Sequence, residues 1–171
     1  MAGNEAIVTA VAHPNIAFIK YWGNRDQTYR IPANGSISMN LGAIETRSTL
    51  TRSDSDSLVL NDQLHTGKSF ERVKSFLDLF RDLYGIQDPV SIVSSNNFPT
   101  GAGIASSASG FAALAVGLNK LFDLALKEEE VSKIARLGSG SACRSVPDGF
   151  VEWIPGNDHS DSFARSITPS D

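Results

Sequence analysis

With 171 residues, 41% of them hydrophobic and 20% charged, the chain has the length and composition of a folded domain with its own core, which excludes a disordered protein. Its net charge of −4 argues against a nucleic-acid or acidic-membrane surface, since clustered Lys and Arg are needed to hold phosphate backbones. The single Cys143 excludes an internal disulfide framework, and no apolar run has the length of a membrane span or the place of a signal peptide, so a cytoplasmic protein is expected.

In chain order, residues 7–12, 16–22, 36–41, 46–52 and 57–60 read as strands separated by Pro, Asn, Gly and Asp clusters. Phe70, Val73, Phe76, Leu77, Leu79, Phe80 and Leu83 then recur at helical spacing, and the helix is closed by Gly85 with Pro89 shortly after. A strand over 90–94 leads into NFPTGAGIASSAS at 97–109. The helix that follows, 105–122, buries Phe111, Leu114, Ala115, Leu118, Leu121 and Phe122. The acidic run 127–130 opens a further helix to about Leu137, where negative charge complements the N-terminal dipole, and a strand is predicted over 149–153. Residues 155–171, rich in Pro, Gly, Ser and Asp, read as an exposed linker after a domain spanning 1–154, and a C-terminal half absent from this chain is expected beyond it.

The loop at 97–109 has the chemistry of a phosphate cradle. Gly101 and Gly103 let the backbone approach an anion, and Ser106 and Ser107 offer hydroxyls beside the unpaired N–H groups of the first helical turn. A tight connection with a hydroxyl cap gives the same pattern. The common phosphate-loop patterns do not fit, because no Lys follows the Ser pair and no third Gly follows Gly103 at the required spacing. His13, His65 and His159 have no metal-ligand spacing with Cys143, and no structural metal is expected; His13 reads as a turn or hydrogen-bonded histidine.

Four segments carry a family resemblance: HPNIAFIKYWGN at 13–24, IPANGSISMNL at 31–41, NNFPTGAGIASSASGFAAL at 96–114 and ARLGSGSACRSVPDGFVEW at 135–153. Together they closely resemble the diphosphomevalonate decarboxylase family of the GHMP kinase superfamily. The resemblance implies an α/β (α+β) fold whose N-terminal portion is like the second domain of ribosomal protein S5. It implies ATP and Mg2+, and a reaction in which the 3-hydroxyl of a phosphorylated mevalonate is phosphorylated before phosphate and carbon dioxide leave. It also implies roles for particular residues. Arg144 would orient the substrate carboxylate and phosphates, with Ser139, Ser141, Asn15 and Tyr21 as substrate contacts. Gly101, Gly103, Ser106 and Ser107 would hold the ATP phosphates, Ser107 also meeting magnesium. Lys20 would reach the reacting groups; strand alternation sets it with Phe18 and Trp22, where a buried-side lysine needs a partner or must snorkel.

Two departures stand out. Asn24 occupies the place of a lysine that the family uses on the substrate diphosphate, which predicts a lean toward phosphomevalonate unless Arg25 substitutes. No segment resembles DAGPN, which holds the family's catalytic Asp in its C-terminal half; Asp148 and Asp158 sit in no matching motif. The isolated chain is therefore expected to be inactive, with a C-terminal fragment as a needed partner and a homodimer as an open option. A mevalonate 3-kinase-like enzyme and a noncatalytic binding fragment remain the alternatives.

Overall fold

In the computed structural model, which describes residues 6–99 and 106–168, the strands are β1 (Ile7–Ala12), β2 (Asn15–Ile19), β3 (Asn24–Asp26), β4 (Ile31–Pro32), β5 (Ser36–Asn40), β6 (Thr46–Arg52), β7 (Ser57–Leu60), β8 (Gln63–Leu64), β9 (Val90–Asn96), β10 (Phe150–Ile154) and β11 (Phe163–Thr168). The helices are α1 (Gly67–Tyr84), α2 (Ser106–Leu121) and α3 (Glu128–Gly138), with a 3-10 helix over Gly140–Ser145. Among the described residues no helix is long and apolar enough to cross a membrane.

The first sheet has the order β1-β6-β9-β7-β8, antiparallel except for the parallel pair β7 and β9 that α1 connects. Alternation along β6 decides its two faces: Thr46, Ser48 and Leu50 are buried while Arg47 is exposed. Leu50, Val90 and Ile92 meet α1 through Val73, Phe76, Leu77 and Phe80, and α2 through Phe111, Leu114 and Leu118. Unlike α1, α2 is buried nearly all round, as its run of Ala, Leu and Gly requires. Gly85 ends α1 as the sequence predicts, in the left-handed region at φ 66°, where its N–H reaches Arg81 O.

The second sheet, β11-β10-β5-β2, is antiparallel throughout. Its inner face buries Ser36, Ser38, Val151, Trp153 and Ala164 beneath the 3-10 helix. Here the reading of 155–171 as an exposed linker gives way: Phe163–Thr168 is a strand paired with β10, and Ala164 is fully buried. The Pro, Gly and Asp residues belong to a tight hairpin loop, in which Asp161 accepts from the N–H groups of Asn157 and Asp158, and Asp158 from that of Ser160. FARSIT carries no clean apolar alternation, so the strand leaves no period-two signal in a stretch that is otherwise polar.

Candidate active site

The beginning of α2 is anchored to the first sheet by hydroxyls. Thr46 Oγ1 lies 2.6 Å from Ser109 Oγ and donates to Asn96 Oδ1 at 2.6 Å, tying the helix to the ends of β6 and β9. Ser106 and Ser107 occupy the first helical turn; Gly101 and Gly103 lie outside the described residues. Ser106 and Ser107 also line a cavity of about 260 Å³, walled by Leu58, Val73, Ile92 and Phe111, with Asn96 and Arg72 adding polar groups. An apolar slot with a few placed polar groups suits a small molecule with one flat apolar part and one charged part.

α3 delivers the second half of the site. Its C-terminal carbonyls are taken by two arginines: Arg30 Nε donates to Leu137 O at 2.8 Å and Arg72 Nη2 to Gly138 O at 3.0 Å, with positive charge where the helix dipole favours it. Ser139 then turns extended, at φ −156°, and starts the 3-10 helix by accepting the Ala142 N–H. As a result Ser139 Oγ lies 3.5 Å from Ser107 Oγ and 3.5 Å from Ser141 Oγ. A row of hydroxyls thus runs from the start of α2 into the SGSACRS segment.

Arg144 lies farther along the same segment and is only 3% exposed. Its guanidinium donates to Ser38 Oγ at 3.1 Å, Ser36 Oγ and Asn15 Oδ1 at 3.2 Å, and its centre sits 5.9 Å from the Tyr21 ring and 5.7 Å from the Trp153 ring. None of these acceptors is a carboxylate. Burial lowers its pKa, yet an arginine keeps its charge, so among the described residues a desolvated cation is held by neutral partners. Asn15 completes the join, donating to Ser141 O at 3.0 Å and Ser145 Oγ at 2.7 Å. Tyr21 packs edge-on against Trp153 at 4.7 Å, and Gly140 makes room for it: a Cβ there would lie 2.6 Å from Tyr21 Oη.

Of the residues the sequence singled out, the structure therefore brings together Asn15, Tyr21, Ser107, Ser139, Ser141 and Arg144, with Ser106 on the adjoining cavity. Lys20 is different. A register shift at Phe18 ends the regular pairing of β2 at Ile19, and Lys20 lies beyond it, exposed, its Nζ donating to Ala17 O at 3.3 Å. Lys20 lies on the same exposed side as Phe18 and Trp22, as the alternation set it, so the expectation of a buried-side lysine fails because that face of the segment is the outer one. His13 donates from Nδ1 to Ile44 O at 2.9 Å, matching the hydrogen-bonded reading. Cys143 is fully buried, which pushes its thiol up to about 12. Ser36, Ser38, Arg30 and Arg72 were missed as site neighbours. The alternation of Ser36 and Ser38 in IPANGSISMNL was the available signal for the first two.

A family model described as the diphosphomevalonate decarboxylase-like N-terminal domain matches residues 12–164. The chain belongs to this family. Relatives within it include the diphosphomevalonate decarboxylases of Debaryomyces hansenii, 43% identical over 94% of this chain and 46% of that protein, and of Saccharomyces cerevisiae, 41% identical over 95% and 46%. The solved mevalonate diphosphate decarboxylase of Enterococcus faecalis superposes with a TM-score of 0.90 at 42% identity, over 95% of this chain and 52% of that one. Another solved family member, MDDEF in complex with MVAPP, AMPPCP and magnesium, superposes with a TM-score of 0.89. The fold is the α/β fold of GHMP kinases expected from the sequence. The chain spans about half the length of the relatives it matches.

Proposed function

We propose that this chain supplies the nucleotide-binding and anion-binding half of an ATP-dependent decarboxylase acting on a phosphorylated mevalonate. The observation that carries this reading is Arg144, a buried cation whose neutral partners leave its charge to be matched by an incoming anion, at the end of a hydroxyl row that begins beside an apolar cavity. The substrate carboxylate and phosphate supply that anion. The relative solved with MVAPP, AMPPCP and magnesium supports the assignment of both ligands.

In this arrangement the cavity takes the nucleotide's base, Ser106 and Ser107 hold its phosphates with magnesium, and Ser139 and Ser141 receive the substrate's polar groups. ATP supplies the phosphoryl group that turns a tertiary hydroxyl into a leaving group. Arg144 orients the carboxylate by its planar fork, Asn15 holds Arg144 and the 3-10 helix in register, and Tyr21 shields the cation from water. Lys20, exposed at the end of β2, takes its place at the reacting groups when substrate is bound.

Two finer points follow. Arg25 Nε and Nη2 are engaged by the backbone oxygens of Pro32 and Gly156, and Asn24 is neutral, which supports the lean toward phosphomevalonate over its diphosphate. Loss of one charge-assisted hydrogen bond is worth about ten- to a hundredfold in affinity for the extra phosphate. The isolated chain, with no DAGPN-like segment, binds ligands without turnover.

The test supplies the chain with the second half of a relative and follows ADP, carbon dioxide and alkene from both phosphorylated mevalonates. Carbon dioxide released in step with ADP, faster from the monophosphate, is the expected result. ADP without carbon dioxide would assign a kinase instead, and preference for the diphosphate would remove the lean.

A further inference from the structure

A second cleft lies between the β3-β4 hairpin and the loop joining β10 to β11, an open space of about 500 Å³ whose walls include Arg25, Tyr29, Ile31, Asp158 and His159. Arg25 joins the two walls, its Nε donating to Pro32 O at 3.1 Å and its Nη2 to Gly156 O. Behind the wall stands Arg136 of α3, which has no solvent exposure. It donates to Ser162 O, to His159 O at 3.3 Å and to His159 Nδ1 at 2.8 Å, and its Nε has no partner among the described residues. None of these acceptors is a carboxylate; Asp26 and Asp161 act on this second buried guanidinium only through space. The bond to Nδ1 also fixes the imidazole. Arginine only donates, so Nδ1 carries the lone pair and Nε2 the proton, which makes His159 a neutral donor backed by a positive charge. The carboxylates of the walls are occupied locally: Asp158 Oδ1 accepts from the Ser160 N–H at 2.7 Å and Asp26 Oδ1 from the Tyr29 N–H at 2.6 Å.

We propose that this cleft binds a small organic monocarboxylate, with His159 Nε2, the Tyr29 hydroxyl and Arg25 as its donors and Arg136 as the buried charge behind them. An ionised carboxylate is acceptor-only, which matches a wall that offers donors and a cation. Ile31 and the rings of Tyr29 and His159, whose centroids lie 4.9 Å apart, give a short chain apolar surface beside the charged end. Asp26 and Asp158 select against a doubly charged phosphate, since fixed negative charges repel a dianion more than a monoanion. The cleft is separate from the site around Arg144. Its walls come from β3, β4 and the loop before β11, none of which contributes to the hydroxyl row from Ser107 to Ser141, so the proposal does not depend on the functional reading above.

The test titrates the chain with butanoate at pH 8 and follows the ring signals of His159 by NMR, assigned against His159→Asn; with three histidines in the chain the spectrum is readable. Saturable shifts with a dissociation constant of about 1–10 mM are expected for a ligand of this size. Butanamide, of the same shape but uncharged, should cause none, and inorganic phosphate, a dianion at this pH, should bind at least about tenfold more weakly than butanoate. Arg25→Gln together with Tyr29→Phe should weaken butanoate at least about tenfold while circular dichroism stays unchanged. Arg144→Met should titrate like the parent, because the cleft does not use that residue. Absence of a saturable shift, butanamide or phosphate binding as tightly as butanoate, or indifference to the double variant overturns the proposal. So does loss of the shift in Arg144→Met, which would give the carboxylate to the site around that arginine.

Discussion

Ser107 Oγ, in the first turn of α2, lies 3.5 Å from Ser139 Oγ, on the residue that ends α3. On the proposed function, the two hydroxyls form the seam between the nucleotide and the substrate. Ser107→Ala and Ser139→Ala should each weaken binding of an ATP analogue by about three- to tenfold, the worth of one neutral hydrogen bond. The double variant should lose less than the product of the two, because the hydroxyls lie 3.5 Å apart and each can partly take over the other's hydrogen bond. Titration calorimetry on the four proteins gives the coupling, and strict additivity would separate the hydroxyls.

Arg144 carries opposite consequences for binding and for stability. Replacing a buried, unpaired cation with an apolar side chain of similar length removes a desolvation cost, so Arg144→Met should unfold within about 1 kcal/mol of the parent or above it. Binding of phosphomevalonate should fall beyond detection. Denaturant titration showing a loss above about 3 kcal/mol would mean that Ser36, Ser38 and Asn15 depend on the guanidinium for the fold rather than for a ligand.

Much of this was legible in the chain itself, for physical reasons. Residues 46–52 and 57–60, set off by clusters of turn-forming residues, became β6 and β7; Gly85 marked the end of α1, where it takes the left-handed conformation at φ 66°. Arg144 stood out because small residues flank it on a segment too glycine- and serine-rich to be a surface helix. Lys20 misled because a period-two pattern groups it with Phe18 and Trp22 but does not say which face of the strand is buried. Ser36 and Ser38 reach Arg144 across more than a hundred residues of chain, a register that spacing does not encode. Arg136, fully buried and donating to Ser162 O and His159 Nδ1, was invisible for the same reason: β11, which its partner Ser162 precedes, had been read as linker.

Gly140 is a small residue by necessity. A Cβ would meet Tyr21 Oη at 2.6 Å and the Trp153 ring at 3.3 Å, so Gly140→Ala must push Tyr21 off its place beside Arg144. The tip of a tyrosine can move without unfolding the protein. Substrate affinity should therefore drop about tenfold or more with a small change in unfolding midpoint, and Tyr21→Phe, which shortens the ring by its hydroxyl, should recover part of the loss in the double variant. No recovery would place the defect in the 3-10 helix instead.

His159 gives the fold a pH dependence of predictable sign. Burial, then the nearby positive charges of Arg136 and Lys133, hold its pKa below the usual histidine value, against the weaker pull of Glu130 and Asp158. The folded state thus binds fewer protons than the unfolded one, and the contribution is complete above the unfolded value of about 6.5 and is lost as pH falls below it. Denaturant titrations from pH 7.5 to 5 should show falling stability. His159→Asn, which keeps an acceptor for Arg136, should flatten that slope, and an unchanged slope would assign it to another group.

Cys143 offers one practical consequence. Its thiol has no solvent exposure, donates to Gly140 O and stays protonated at any ordinary pH. Thiol-reactive dyes should therefore ignore the native protein and label it once the chain opens, making the lone thiol a built-in reporter of unfolding that needs no engineered probe.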